Sequence, residues 1–448
     1  ILFILKKPRL FCKRGFLLNT NMNIEQLYEI FLAHPSISTD TRKLTPDSLF
    51  FALRGEHFNG NKFAQQALDN GVAYAIIDDN EYSCGDKTIL VDNVLECLQN
   101  LAAFHRSKLN IPVIGISGSN GKTTSKELIY AVLSEKYKVF STQGNLNNHI
   151  GVPLSILQIT PQHEMAVIEM GANHVGEIQQ LCKISQPDYG LITNVGKAHL
   201  EGFGNFENVI KAKTELYRYL EQNDGLVFIN FNNTILKAHA LNLRQYSYGT
   251  NQQADIHTTF IVANPYVKLY WENKKTIIES KLIGKYNFEN ILCAIAIGEY
   301  FQVGHEQIKH AVENYFPSNS RSEFIHKEDN TIILDAYNAN PTSMIAALEN
   351  FNLMQSMNKV VMLGDMLELG AYKKTEHEKI IEFLNNSNYN QVFLVGSNFF
   401  EANTRNDFLT FKSSQQLRDY LKINPLHHAL ILVKGSRGTQ MEHVLSAL

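Results

Sequence analysis

Gly115-Ile-Ser-Gly-Ser-Asn-Gly-Lys-Thr-Thr124 follows directly on the apolar run Ile111-Pro-Val-Ile114. A glycine-rich loop that leaves a strand and opens a helix can wrap a polyphosphate with backbone N–H groups. Lys122 would supply a point charge and Thr123 a hydroxyl for Mg²⁺, with Gly118, Asn120, Gly121 and Thr124 completing the cradle. The usual spacing puts a glycine about five residues before the Gly-Lys pair. That position is Ile116 here, and Gly115 stands one residue further back. The loop is therefore a variant, and it confines the chemistry to handling a nucleotide phosphate.

A chain of 448 residues is too long for one ordinary core and predicts several domains. Hydrophobic and charged fractions of 44% and 19% are those of a soluble globular protein. A net charge of −3 gives no reason to expect nucleic acid as a partner. No run approaches the ~18 apolar residues of a membrane span, so no membrane insertion is expected. The five cysteines (Cys12, Cys84, Cys97, Cys182, Cys293) are scattered and lack metal-ligand spacing. They read as reduced thiols of a cytoplasmic protein, and a monomer is expected. Residues 1–21 carry Lys6, Lys7, Arg9, Lys13 and Arg14 without an acidic residue. Met22 then opens a helical pattern through Ile24, Leu27, Tyr28 and Phe31. Residues 1–21 are read as an upstream extension without a folded role; the rival reading is a basic arm for a membrane or partner.

Short β-rich runs at 73–77, 113–116, 165–168, 190–193, 226–230, 331–334, 359–363, 391–395 and 429–433 alternate with helical spacing. The pattern predicts an α/β chain with mainly parallel sheets. A helix near 101–106 feeds the strand before the glycine loop, and Tyr315-Phe-Pro-Ser-Asn-Ser-Arg321 interrupts another helix. Three domains are expected, over 22–106, 107–316 and 317–448.

Mg²⁺ bridging two phosphates needs a few hard oxygen ligands. Glu169 stands just beyond the run 165–168, and parallel sheets place ligands at such strand ends. His199 follows the next such run, in Thr193-Asn-Val-Gly-Lys-Ala-His199. Lys213 reads first as one of two exposed lysines on a helix. A lysine can also react with CO₂ to give a carbamate, an anion able to ligate metal; spacing cannot show that modification.

Together, Gly-x-x-Gly-x-x-Gly-Lys-Thr-Thr, Glu169-Met-Gly-Ala-Asn173, Asn194-Val-Gly-x-Ala-His199 and Ala212-Lys-x-x-Leu-Tyr217 resemble the Mur ligases. These are ATP-dependent amino acid and peptide ligases of peptidoglycan assembly. Asp335-Ala-Tyr-Asn-Ala-Asn-Pro-Thr-Ser-Met344, Met362-Leu-Gly-Asp-Met-Leu-Glu-Leu-Gly370 and Val433-Lys-Gly-Ser-Arg-Gly438 resemble the branch that adds D-alanyl-D-alanine to UDP-MurNAc-tripeptide. The resemblance runs from about residue 22 to the end. It implies a small α/β UDP-binding domain, a central P-loop domain and a Rossmann-like C-terminal domain that binds the dipeptide. It further implies ATP and two Mg²⁺ ions as cofactors. Lys122 would contact the β- and γ-phosphates, Thr123 and Glu169 the first Mg²⁺, His199 and a carbamoylated Lys213 the second. Asn287 and Asn290 match an adenine-contacting pattern, with Tyr286 where histidine is common. Arg321 and Asp335 match positions that reach the nucleotide. Ser38, Thr41 and Arg42 resemble a uridine-diphosphate grip, although Asn59-Gly-Asn61 replaces the common Asp-Gly-His. Asn148 resembles a residue near the muramyl peptide, and Tyr337, Asn338, Asn340 and Asp365 are candidates for the dipeptide face.

Two other readings stay open at this point. A sibling stem-peptide or folate polyglutamate ligase would share the loop; the Tyr-Asn-Ala-Asn-Pro run and the lack of an Asp-Asn-Pro-Arg motif speak against it. A nucleotide-switched binding module would hydrolyse nucleotide without a peptide substrate.

Overall fold

The computed structural model describes residues 22–317 and 321–448; the extension at 1–21 lies outside them. The chain forms two compact units. One comprises the residues through Asn110 together with His149–Thr160, the other Ile111–Asn148 and Pro161–Leu448. The described residues form four sheets; the three larger ones each have an apolar core, and the fourth is the two-stranded ribbon Arg54–Gly55 with Phe58–Asn59.

The first unit holds a parallel sheet in the order Ile37–Ser38, Leu49–Phe51, Tyr74–Ile77, Thr88–Leu90. Helix Ile24–Ala33 starts at a capping box between Asn23 and Gln26, and it buries Ile24, Leu27 and Phe31 at helical spacing. Helix Gly151–Leu157 belongs to this unit and packs on helix Val94–Lys108, although its sequence position lies inside the expected central domain.

In the second unit a nine-stranded sheet surrounds the glycine loop. Strand Val113–Ser117 lies between Tyr189–Ile192 and Met165–Glu169, all parallel. The strand order diverges on either side of it, so its carboxyl end is the point where open α/β sheets accept ligands. Register puts Glu169 beside Ile116 and Ile192 beside Ser117. Helix Tyr286–Tyr300, apolar almost all round, lies against helix Lys122–Ser134 and fixes the loop's exit. The far edge is an antiparallel meander, Ile256–Ala263, Tyr266–Trp271 and Thr276–Ile283, that the sequence reading did not separate from the parallel sheet.

The remaining sheet runs Glu323–Lys327, Asn330–Asp335, Leu430–Lys434, Lys359–Gly364, Gln391–Val395, Leu409–Phe411. Only its first pair is antiparallel. Among the described residues no helix is long and apolar enough to cross a membrane.

Candidate active site

The glycine loop is held open by backbone geometry. Gly118 has φ +140°, and a Cβ there would lie 2.0 Å from Thr193 Oγ1. Gly121, at φ +78°, starts helix Lys122–Ser134 without a side-chain cap, which leaves the first N–H groups for an anion. The loop after strand Tyr189–Ile192 supports it from the side. Asn194 Oδ1 accepts the Asn120 N–H at 3.0 Å, Thr193 Oγ1 donates to the Asn120 carbonyl at 2.6 Å, and Ser119 Oγ accepts the Gly196 N–H at 2.9 Å. From below, Ser125 donates to Asn290, Asn290 to Asn287, and Asn287 to the Ile283 carbonyl. Asn290 lies directly against Gly121. Both expected adenine contacts are therefore engaged in holding the loop.

Lys122 Nζ donates to the Gly118 carbonyl at 2.8 Å. Burial lowers its pKa, Glu169 opposes that shift, and Arg321 reinforces it, so all three charges share one field. Thr123 and Thr124 are buried beside it. Glu169 is 1% exposed; its Oε1 accepts from Asn147 Nδ2 at 2.8 Å, whereas buried Oε2 has no partner among the described residues. An orphaned carboxylate oxygen is costly in a protein interior, and a hard cation is what relieves it.

Lys213 is not the exposed lysine its residue type suggests; it is 1% exposed. Val209, Ala212 and Lys213 form the buried stripe of helix Phe206–Lys213, which places the ammonium inward. Its Nζ donates to the Ala172 carbonyl at 3.1 Å and lies over the Phe203 ring. Burial, then repulsion from Lys122, brings its pKa down to about 7, against the pull of Glu177 and Glu215. The shift favours the neutral amine. His199 opens the short helix Leu200–Phe203, and its Nδ1 pairs with Glu368. Among the described residues no three His, Cys, Asp or Glu side chains converge as a ready metal site.

The C-terminal sheet contributes further groups. The Arg321 guanidinium stacks on Tyr337 at 3.6 Å and Arg437 approaches the same ring at 5.5 Å; Arg321 Nε is buried without a partner among the described residues. Asp335 pairs with Lys434, its register neighbour. Asn338 folds back on the Ala339 N–H. Asn340 caps helix Pro341–Leu353 and donates to Asn120 Oδ1 at 2.7 Å, joining this layer to the glycine loop. Asp365, a candidate for the dipeptide face, has a structural task of its own. Its two oxygens each accept a backbone N–H at 2.9 Å, from Asn398 and Phe399, so it serves as an anchor for helix Ser397–Ala402.

Family models match in chain order: the Mur ligase family catalytic domain over residues 35–106, the Mur ligase middle domain over 116–298, and the Mur ligase glutamate ligase domain over 320–437. The chain belongs to the Mur ligase family. The UDP-N-acetylmuramoyl-tripeptide--D-alanyl-D-alanine ligase of Bacillus subtilis is 34% identical to this Mur ligase, over 96% of the chain and 98% of the relative. Among solved structures, MurF from Acinetobacter baumannii superimposes with a TM-score of 0.82 at 31% identity, covering 92% of each chain. MurF ligase from Thermotoga maritima in complex with ADP gives 0.82 at 25% identity, covering 93% of this chain and 97% of that one.

The first unit of this Mur ligase carries Ser38, Thr41 and Arg42 together at the end of a strand. Ser38 Oγ donates to the Asp40 carbonyl, and Arg42 forks onto Asp40 with its side chain largely exposed. Asp40 holds its proton weakly for that reason, with a pKa near 2. Asn61, where the family often has histidine, is fully buried and exchanges hydrogen bonds with Asp78, so it organises the loop. Tyr286, another departure, is bonded through its hydroxyl to Ser322. Asn148 lies at the end of a loop whose neighbouring amide, Asn147, is the one that reaches Glu169. Asn147, Glu368 and the pair Lys197–Glu376 (3.1 Å) are site residues the sequence did not single out.

Proposed function

We propose that this Mur ligase joins the amine of D-alanyl-D-alanine to the terminal carboxylate of UDP-N-acetylmuramoyl-tripeptide, converting ATP to ADP and phosphate, as a cytoplasmic monomer. One observation carries the reading. Lys122 of the phosphate-binding loop shares its field with Glu169 and with the buried Lys213, and one buried Glu169 oxygen has no partner among the described residues. The name of the Bacillus subtilis relative supports the choice of substrates.

A carboxylate is a poor electrophile, and condensing it with an amine in water is unfavourable. Attack of the carboxylate oxygen on the γ-phosphorus forms an acyl phosphate and releases ADP. The dipeptide amine then adds to the carbonyl carbon; phosphate leaves with the oxygen that had attacked phosphorus, and the nitrogen gives up a proton, which the departing phosphate can carry, to leave the neutral amide. Lys122 and the loop N–H groups stabilise the charge on the transferring phosphoryl group. Thr123 and Glu169 would hold a first Mg²⁺, the free Oε2 being the observation that fits it, and His199 with Lys213 a second. Bound Mg²⁺ supplies charge neutralisation and orients the phosphate oxygens. Neutral Lys213 adds to CO₂ through its lone pair and loses a proton, giving the carbamate that turns a buried cation into an anionic ligand. Ser38, Thr41 and Arg42 hold the uridine diphosphate, and Asn148 lies near the muramyl peptide. Arg321 and Asp335 reach the nucleotide, and Tyr337 and Asn338 face the dipeptide. Water must be kept out while the acyl phosphate exists, which accounts for a separate C-terminal layer.

Phosphate release with defined substrates tests this reading. It should require ATP, the UDP-muramyl tripeptide and D-alanyl-D-alanine together. Equal release with glutamate or diaminopimelate as the amine would make the chain a sibling ligase. Release with ATP alone would make it an NTPase.

A further inference from the structure

His199 and Glu368 meet from two layers of the second unit. His199 ends the loop that follows strand Tyr189–Ile192, and Glu368 sits in the turn that follows strand Lys359–Gly364. The imidazole Nδ1 faces Glu368 Oε2, and the Glu368 carbonyl accepts the Glu201 N–H at 3.0 Å, so both backbone and side chain are fixed. Each residue holds left-handed backbone, φ +52° for His199 and +60° for Glu368. Side chains rarely adopt that conformation unless surrounding contacts impose it. Two further bonds dock the same loop: the Lys197 N–H to Thr342 Oγ1 and Lys197 Nζ to Glu376, both at 3.1 Å.

A neutral imidazole has one lone pair, and the partner of one nitrogen decides which nitrogen carries it. A carboxylate at Nδ1 keeps the proton there and leaves the lone pair on Nε2, the arrangement by which a histidine is oriented toward a cation. We propose that Glu368 is a positioning residue: from the C-terminal layer it fixes His199 as the Nδ1–H tautomer, with Nε2 free for the second Mg²⁺. The inference rests on the ligase reading above. It makes tight retention of that cation depend on docking of the layer that carries the dipeptide face, so the γ-phosphate is activated only when the amine site is in place.

Mn²⁺ serves as the probe, titrated into the full-length protein with bicarbonate and β,γ-methylene-ATP, with free Mn²⁺ read by electron paramagnetic resonance. The wild type should bind two ions. In Glu368→Ala one of the two sites should lose about 10–100-fold in affinity while the other is unchanged. Nitrogen-15 spectra should show His199 leaving the Nδ1–H tautomer in that variant. Glu368→Gln, whose carbonyl can still accept the proton, should fall between the two and retain the tautomer. If Glu368→Ala melts early, the glutamine variant carries the test, and loss of the second ion from a folded Glu368→Gln with its tautomer intact overturns the proposal. Two wild-type affinities in Glu368→Ala overturn it while leaving the ligase reading intact. A single ion in the wild type would remove the two-metal reading and this proposal together.

Discussion

Adding one methyl group at Gly118 tests whether the glycine loop has the shape described. The Cβ of Gly118→Ala would stand 2.0 Å from Thr193 Oγ1 and 3.1 Å from the Thr193 nitrogen, on backbone at φ +140°. Two costs follow. The backbone conformation disfavours any side chain by about 1–3 kcal/mol. The collision adds about 1–3 kcal/mol, because Thr193 cannot swing away without losing its 2.6 Å bond to the Asn120 carbonyl. A domain with about 5–15 kcal/mol of stability should still fold, with a lowered melting temperature and weaker nucleotide binding. Thr193→Ala removes the colliding oxygen at a cost of about 1 kcal/mol for the hydrogen bond. In the double variant the 2.0 Å clash with Oγ1 disappears, while the closer-than-usual approaches to the residue-193 nitrogen and Cβ, at 3.1 and 3.2 Å, and the backbone strain stay. Urea unfolding of the four proteins should therefore give a coupling of about 1–3 kcal/mol in favour of the double variant. Strict additivity would mean that the loop does not press on Thr193 and would refute the reasoning.

Three further perturbations separate the roles assigned above. Lys213→Ala should abolish ligation, and a short carboxylic acid that occupies the vacated space should restore part of it. In the wild type, ¹³C-bicarbonate should label Lys213 as a carbamate, and labelling should slow as the pH falls below about 7, because the ammonium form has no lone pair. Asn147→Ala takes away the side-chain donor to Glu169 Oε1, the oxygen that is paired; nucleotide-dependent Mn²⁺ affinity at the first site should drop about 10–100-fold in a titration, with the fold intact by circular dichroism. Asp365→Ala should lower stability by about 1–2 kcal/mol in denaturant through loss of the helix anchor, while the KM for the dipeptide changes little.

What was legible in the sequence was local. Glycines at 115, 118 and 121 announce the loop, and an acid one residue past an apolar run announces Glu169. Lys213 was legible in part: its spacing from Val209 and Ala212 marks a buried face, but a lysine on a helix is read as exposed until its surroundings are known. The meander from 256 to 283 shows the same limit. Val267, Leu269 and Trp271 alternate as a strand should, yet nothing local tells an antiparallel edge from another parallel strand. Asn147 and Asn148 are adjacent amides, and only the fold selects the one that reaches Glu169. Asp365 and Glu368 lie three residues apart in one turn and face opposite duties because their partners, Asn398 and His199, are distant in sequence.

The central claim is that the peptide carboxylate itself takes the γ-phosphate. UDP-muramyl tripeptide labelled with ¹⁸O in its terminal carboxylate, turned over with ATP and D-alanyl-D-alanine, tests it by mass spectrometry of the released phosphate. One ¹⁸O per phosphate is the predicted result, since the attacking oxygen leaves with phosphorus when the amine displaces it. Phosphate that carries no label while the amide product forms would contradict the acyl-phosphate route.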